Sequence, residues 1–265
     1  MILIALLGFA VPTRAHTEGP RWYGPPAKDK PVRIVSLTPS TTEILFAIGA
    51  GSRVVAVTRY CDYPPEVAKL GKLGGVLDLN VEAVLAAKPD LVVAIRSNSV
   101  EQAFERLGQL GLSVLVVPSD TLVDLAPAVS AIAEATGDTQ RGRDVIEGFD
   151  KALAEVKQRA AKEKPLRTLI LVADRPLVAA GKGSFIDGAV ATIGLANVIT
   201  QGPFPEVGRE EMLKKNPELL LDLTETGVPA VGQARLVRLK DPRLLRLTPR
   251  LPQALADLAR TIRLP

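Results

Sequence analysis

The sequence is poor in the residues that most catalysis and metal binding require. Its 265 residues include one histidine, His16, and one cysteine, Cys61. The scarcity of histidine excludes Ser-His-Asp and Cys-His catalysis and most transition-metal sites that depend on imidazole or thiolate ligands. A single cysteine excludes an internal disulfide bond and is typical of a small buried apolar residue. We therefore expect no catalytic residues, no metal site and no resident cofactor.

Motifs for binding nucleotides and nucleic acids are missing as well. No G-x-G-x-x-G motif follows the first predicted strand, and Gly181-Lys182-Gly183-Ser184 carries Gly183 where a phosphate loop requires Ser or Thr. The formal net charge is only +4 and aromatic residues make up 4% of the chain, without a basic stripe that alternates with them. Nucleic-acid binding is therefore not expected.

The N-terminus is apolar from Met1 to Val11, a run too short to span a bilayer. Its length and the small residues that follow are typical of a secretory signal, which we place at residues 1–15. The mature chain would then be an exported, soluble protein. Residues 17–31 are rich in Gly and Pro, so we expect an extended leader there.

One pattern occurs twice, as GGVLDLNVEAVLAAKPDLVV at 74–93 and GPFPEVGREEMLKKNPELLL at 202–221. The two copies align without a gap and share identical residues at five positions, including Glu82 with Glu210 and Pro89 with Pro217. Each copy predicts a loop, a short helix that begins near its Glu, a break at the residue before Pro, and a buried strand. The repeat indicates two similar lobes with one matched carboxylate on each.

Strands and helices alternate along the rest of the chain, which predicts an α/β fold with mostly parallel sheets. Residues 139–164 contain almost no helix breakers and carry an apolar stripe at helical spacing, which predicts one long helix. We therefore predict two Rossmann-like βα lobes, at 33–138 and 165–265, joined by a single long backbone helix at 139–164.

Two loops are candidate ligand contacts on sequence grounds. Thr38, Pro39, Ser40 and Thr41 follow the first strand, and Ser40 with Glu43 has the spacing of a capping box at the start of a helix. Helix N-termini at the carboxyl ends of parallel strands often bind ligands. The second loop is TRYCDYPPEV, which contains Tyr60 and Tyr63, two of the three tyrosines.

From about residue 33 to residue 257 the chain resembles the substrate-binding proteins of ABC importers that have a helical connection between their lobes. The segments that carry the resemblance are RIVSLTPSTTEILFAIGAG, TRYCDYPPEV, LNVEAVLAAKPDLVV, AAGKGSFID and GPFPEVGREEMLKKNPELLL. This cluster transports cobalamin, siderophores and haem, and the second and third segments are most similar to its cobalamin-binding branch. The resemblance implies a periplasmic, monomeric, non-enzymatic receptor for cobalamin or a related corrinoid.

The resemblance also assigns roles to individual residues. In this family one Glu on each lobe pairs with arginines of the permease dimer, and by position these are Glu82 and Glu210. Tyr60 matches an aromatic residue that contacts the corrin ring, Phe204 stands where that branch has a tryptophan, and Asp241 matches an acidic contact. The expected ligand-binding set is Thr38, Pro39, Ser40, Thr41, Tyr60, Phe204, Asp241 and Arg246.

Other functions stay open at this point. Val76, Ile95 and Val178 replace aromatic residues that cobalamin binders often carry, which leaves haem and ferric siderophores as alternative ligands. Haem would use Tyr60 or Tyr63 as its axial ligand, and an anionic siderophore would use arginines, for which the candidates are Arg59, Arg96, Arg175 and Arg246. An enzyme that uses paired carboxylates and a sensor without a transport role are the alternatives from other classes.

Overall fold

The computed structural model describes residues 19–27, 30–75 and 78–263. The predicted signal peptide at 1–15, His16 and Val76 lie outside these residues. Two β-sheets, each flanked by helices, are joined by one long helix, which confirms the predicted fold class. In the part of the chain that is described, no helix is both long enough and apolar enough to cross a membrane.

The first sheet has six strands in the order β1-β6-β5-β2-β3-β4. The strands are β1 (Arg21–Tyr23), β2 (Ile34–Ser36), β3 (Val54–Val57), β4 (Gly71–Lys72), β5 (Leu91–Ile95) and β6 (Val114–Val117). All pairings are parallel except the antiparallel pairing of β1 with β6. Residues 21–23 of the predicted leader are extended as expected, but they belong to the folded sheet, because they form an edge strand on β6.

Four helices flank this sheet and bury its largely apolar strands on both faces. They are α1 (Pro39–Ala47), α2 (Val81–Ala86), α3 (Glu101–Gln109) and α4 (Leu125–Thr136). α4 ends at Gly137, whose φ of 71° is the left-handed conformation that glycine adopts without strain.

The long helix α5 (Thr139–Ala160) has 22 residues and is ~33 Å long at 1.5 Å per residue. It begins at the predicted residue and ends four residues before the predicted end. α5 packs against α4 on one side and against the C-terminal helix α8 (Leu251–Arg263) on the other. One apolar core includes Phe149 and Val156 of α5 together with buried residues from both sheets, so the two lobes share a continuous interior.

The second sheet is smaller and its main path runs β11-β10-β7-β8, with β9 paired to β7 on the same edge as β8. Its strands are β7 (Leu166–Asp174), β8 (Leu177–Ala179), β9 (Leu195–Asn197), β10 (Leu219–Asp222) and β11 (Arg235–Arg238), and its helices besides α8 are α6 (Phe185–Ala191) and α7 (Arg209–Lys215). Pairing is parallel except between β7 and β8. Residues 181–184 form a turn into α6, whose N-cap is Ser184.

The sequence repeat corresponds to a structural repeat. Lys88 and Asn216 occupy equivalent positions, and among the described non-glycine residues they are the two with positive φ, at 47° and 44°. Each precedes the proline that ends its repeat helix.

The acidic residue after each proline also has the same role in both copies. In the first copy Asp90 accepts hydrogen bonds from the backbone N–H groups of Val32 and Arg33, at 2.9 and 2.8 Å. In the second copy the Glu218 carboxylate accepts one from the N–H of Arg167 at 2.9 Å. The acidic residue after each proline therefore anchors the start of the neighbouring strand.

Candidate functional site

The turn after β2 is held by a network of hydroxyl groups. The Thr41 hydroxyl lies 2.8 Å from the hydroxyls of both Ser36 and Thr38, and the Thr42 hydroxyl donates to Ser36 at 2.8 Å. Cys61 joins this network, because its buried Sγ lies 3.2 Å from the Thr42 hydroxyl. The buried thiol confirms the expectation of a small apolar residue in the core.

The predicted capping box of Ser40 and Glu43 is wrong. Thr38 is the N-cap of α1, since its side chain accepts a hydrogen bond from the N–H of Thr41, and Pro39 stands in the first turn. Proline suits this position because its fixed φ matches the helix and its missing N–H is not needed there. The helix therefore begins before Ser40, and the Glu43 side chain is not part of the N-terminal cap.

The predicted ligand contacts in this turn are mostly covered. Thr38, Ser40 and Thr41 are buried, and Pro39 is partly exposed. Because the hydroxyls of Thr38 and Thr41 bond to each other, a ligand at this turn would meet the Pro39 ring and backbone rather than those hydroxyls.

Two aromatic side chains from different lobes are exposed. Tyr60 on the loop after β3 is 55% exposed, and Phe204 on the loop before α7 is 48% exposed. The guanidinium of Arg59 lies 5.2 Å from the Tyr60 ring centroid and is itself paired with Asp78 at 2.6 Å. The Phe204 loop is fixed against the second sheet, since the carbonyl oxygens of its two flanking prolines accept backbone hydrogen bonds from Gly181 and Ala179. Both rings are large apolar surfaces on anchored loops, as a ring-shaped ligand would require.

Four charged side chains join the two lobes next to the Tyr60 loop. Arg250 binds Glu43 through two hydrogen bonds of 2.8 and 2.7 Å, and Arg246 binds Asp62 through two of 2.6 and 3.0 Å. Arg246 also reaches Glu43 at 3.3 Å. Glu43 is only 2% exposed, so its charge is compensated almost entirely by arginines of the other lobe. We call these four residues the interlobe ion cluster.

The interlobe ion cluster shifts the pKa values of Asp62 and Arg246. The Arg246 guanidinium lowers the pKa of Asp62 below its usual value. Burial alone would lower the pKa of Arg246, but Asp62 and Glu43 outweigh it and the pKa is raised. The Arg250 guanidinium lies 3.4 Å from the Tyr63 ring centroid, closer than Arg59 lies to the Tyr60 ring. The predicted ligand residue Arg246 is therefore engaged by carboxylates of the first lobe.

Asp241, the predicted acidic contact, is engaged within its own lobe. Its side chain caps a short 3₁₀ turn at 242–245 by accepting a hydrogen bond from the N–H of Arg243 at 3.0 Å. The Arg243 guanidinium also bonds to both carboxylate oxygens and lowers the pKa of Asp241. Among the residues described, no three His, Cys, Asp or Glu side chains are grouped as a metal site would need.

Glu82 and Glu210 occupy matching places at the surface. Each is the second residue of its helix, α2 or α7, and each is exposed. Glu210 has an i,i+4 contact with Lys214 at 2.9 Å, which is weak because both side chains are mostly in solvent. Negative charge in the first turn is favoured by the helix dipole, which stabilises both carboxylates at these positions.

Sequence reasoning missed Glu43 and Arg250. Glu43 has no cation three or four residues away on α1, and its partner is 207 positions distant. The one local signal is a carboxylate inside the otherwise apolar and hydroxyl-bearing run from Thr41 to Ile48, which a buried ion pair explains.

Comparisons with known proteins identify relatives over most of the chain. The profile of a family described as periplasmic binding protein matches residues 34–242. A vitamin B12-binding protein of Pectobacterium atrosepticum is 29% identical over 198 residues, which cover 72% of this chain and 71% of the relative. A vitamin B12-binding protein of Vibrio cholerae is 28% identical over 190 residues, which cover 71% and 69%.

Solved structures share the fold. The crystal structure of the periplasmic vitamin B12-binding protein of Vibrio cholerae has a TM-score of 0.76 and 26% identity, and the match covers 87% of this chain and 98% of that one. A periplasmic haem-binding protein of Roseiflexus has a TM-score of 0.77 and 26% identity, with coverage of 86% and 96%. Both solved structures carry the two-lobed architecture described above.

Proposed function

The chain belongs to the periplasmic binding protein family, and from that premise we propose that it is an exported receptor that captures cobalamin, or a related corrinoid, between its lobes and delivers it to an ABC permease. The ligand class is supported mainly by the similarity to vitamin B12-binding proteins, which extends over 72% of the chain. The proposal includes export through a signal peptide at residues 1–15 and a soluble periplasmic monomer.

The ligand is proposed to contact Tyr60 from the first lobe and Phe204 from the second. A corrin ring is broad and flat, so two exposed aromatic side chains on anchored loops supply apolar contact area with little loss of side-chain entropy. Pro39 and the backbone of its turn would contribute from the carboxyl end of β2. Asp241 and Arg246 are already in ion pairs, so each would have to bind the ligand in addition to its present partners.

We assign docking of the protein on the permease to Glu82 and Glu210. Their carboxylates are exposed and held at helix N-termini, and cations on the permease would pair with them. Such pairs at an interface rim mainly set orientation and association rate.

Haem is the second candidate ligand, and one observation favours it. Tyr60 is 55% exposed and its phenol could serve as the axial ligand of an iron centre, whereas Tyr63 is less exposed, at 40%, and lies against the Arg250 guanidinium. The solved haem-binding relative at 26% identity is consistent with this alternative.

Calorimetric titration of the purified protein with cyanocobalamin and, separately, with haemin tests the ligand. We expect one-to-one binding of cyanocobalamin at micromolar affinity or tighter, which Phe204→Ala weakens by about tenfold through the loss of buried ring area. Lys151→Ala, an exposed change on α5, is the matched control and should leave the affinity unchanged. Binding of haemin alone, abolished by Tyr60→Phe, would establish the second candidate and overturn the first.

A further inference from the structure

The two lobes differ in a connection that lies beside α2 and α7, the helices that carry Glu82 and Glu210. In the first lobe, α3 connects the parallel neighbours β5 and β6. In the second lobe, residues 223–234 connect β10 and β11 without a helix. Fully buried Asp222 holds this connection, because its carboxylate accepts hydrogen bonds from the N–H groups of Thr224 and Val228 and from the Arg238 guanidinium, at 3.0, 2.9 and 2.8 Å. The loop is therefore a fixed part of the surface.

A pocket of about 300 Å³ lies between this loop and α7. Its apolar wall is formed by Leu177, Met212, Val228 and Val231, and the last three are nearly inaccessible, at 4%, 7% and 3% exposure. An α-helix in the position of α3 would give the second lobe a different surface here. The accessible apolar surface of the pocket therefore comes from Leu177, which is partly exposed, and from Pro229, which is exposed.

The mouth of the pocket carries an excess of positive charge. Arg175 and Arg209 line it, and neither forms a salt bridge within the described residues. Asp174 also lines it, but one of its carboxylate oxygens is engaged by the N–H and hydroxyl of Thr226. An occupant that combines an apolar group with a carboxylate would satisfy both the wall and the two arginines.

The pocket is continuous with the proposed docking helix. Arg209 immediately precedes Glu210 on α7, and Leu213, one turn further along the same face as Glu210, is 46% exposed. Arg209, Glu210 and Leu213 therefore lie on one short helix beside the pocket, and Arg175 lines the same pocket from the turn between β7 and β8. Such a mixture of apolar and charged groups is typical of a protein interface.

We propose that this pocket is a second docking point for the permease, and that it receives an apolar side chain next to an Asp or Glu on a periplasmic loop of that partner. The inference rests on the proposed transport function and adds a contact whose sign is opposite to that of Glu210. Because the first lobe has α3 instead, the two lobes present different surfaces to the permease dimer. The second lobe would then bind its permease subunit more tightly than the first lobe does.

The experiment measures binding of the ligand-loaded protein to the permease–ATPase complex of the same organism in nanodiscs by surface plasmon resonance. Arg175→Ala with Arg209→Ala should weaken docking by about tenfold or more, and Arg175→Glu with Arg209→Glu should weaken it further, because the charge is reversed. Arg143→Ala with Arg159→Ala on α5 removes the same net charge from a distant surface and should change docking less than about twofold. Binding of cyanocobalamin and the melting temperature should be unchanged in all three variants.

The outcomes separate this inference from the proposed function. If docking depends on Glu82 and Glu210 but the two double-alanine variants behave alike, the pocket is not a docking point while the transport role stands. If the wild-type protein does not dock, both are wrong. A selective loss in the Arg175 and Arg209 variants establishes the second contact.

Discussion

At the scale of single residues, the interlobe ion cluster depends on one buried carboxylate, Glu43. Glu43→Gln keeps the size of the side chain but leaves Arg250 without its anionic partner and weakens the pairing of Arg246. Uncompensated charge in a poorly solvated place is costly, and Arg250 is 27% exposed, so we expect a loss of about 2–3 kcal/mol in the free energy of unfolding. Urea unfolding followed by circular dichroism measures it.

Asp62→Asn is the control for this prediction. Its carboxylate also pairs with Arg246 but is 56% exposed, so solvent replaces much of the interaction and the loss should be below about 1 kcal/mol. Equal losses in the Glu43 and Asp62 variants would mean that burial of Glu43 does not determine the strength of the cluster.

Asp222 makes the stability of the second lobe dependent on pH. Burial alone would raise its pKa, but the hydrogen bonds from Arg238 and from the loop outweigh burial, so the pKa lies below its usual value. Ionised Asp222 thus contributes stability that is fully present above the unfolded-state pKa of about 4 and is lost as the pH falls through the lower folded-state pKa.

Urea unfolding between pH 7 and pH 3 tests this dependence. Asp222→Asn should be less stable than the wild type at pH 7 because an amide accepts fewer of the four hydrogen bonds. The difference between the two proteins should shrink as the pH falls below about 4. A difference that stays constant over the whole range would show that the Asp222 charge is not involved.

Individual residues differ in how far the sequence predicts their roles. Glu82 and Glu210 could be predicted as exposed first-turn residues because the repeat and the following proline define their helices locally. Glu43 could not, since nothing near it in sequence indicates that Arg250 would lie against it. Arg246 was predicted at the site, but its partner Asp62 was not, because an ion pair between lobes depends on how the lobes pack.

At the scale of elements, the crossing of α4 and α5 depends on one glycine. A Cβ at Gly142 would lie 2.5 Å from the Cβ of Ala133 on α4, closer than two carbon atoms can pack. Alanine is favoured over glycine in a helix by about 1 kcal/mol, but overpacking costs about 1–3 kcal/mol. We therefore expect Gly142→Ala to lower the melting temperature despite its better helix propensity.

Gly148→Ala on the same helix provides the opposite expectation. A Cβ there meets nothing within 4 Å, so only the propensity changes and the protein should gain about 0.5–1 kcal/mol. Differential scanning calorimetry of both variants measures the contrast. Stabilisation by both substitutions would contradict the close approach of α4 and α5.

Strands that consist of a continuous apolar run could be predicted from the sequence. Very short strands could not, because they depend on hydrogen bonding to neighbouring strands. β3 and β5 coincide with the continuous apolar runs Val54–Val57 and Leu91–Ile95. β1, β8 and β9 have three residues each and gain their order from neighbouring strands, which no short sequence window shows. α1 was predicted, but its start was placed two residues late because Ser40 and Glu43 mimic a capping box.

At the scale of the whole molecule, the shared core restricts motion between the lobes. α5 packs against helices of both lobes and the interlobe ion cluster adds a second connection. Crystal structures with and without ligand should therefore differ by a lobe rotation of only a few degrees. A closure of tens of degrees would contradict the rigid connection.

The central claim is delivery of a captured corrinoid, and uptake tests it most directly. Proteoliposomes that contain the permease–ATPase complex are supplied with ATP, radiolabelled cyanocobalamin and this protein. The account predicts ATP-dependent accumulation with the wild-type protein. With Glu82→Ala and Glu210→Ala combined, accumulation should be lost although calorimetry still shows cyanocobalamin binding. Undiminished uptake with that double variant would contradict the docking role, and no uptake with the wild type would contradict delivery itself.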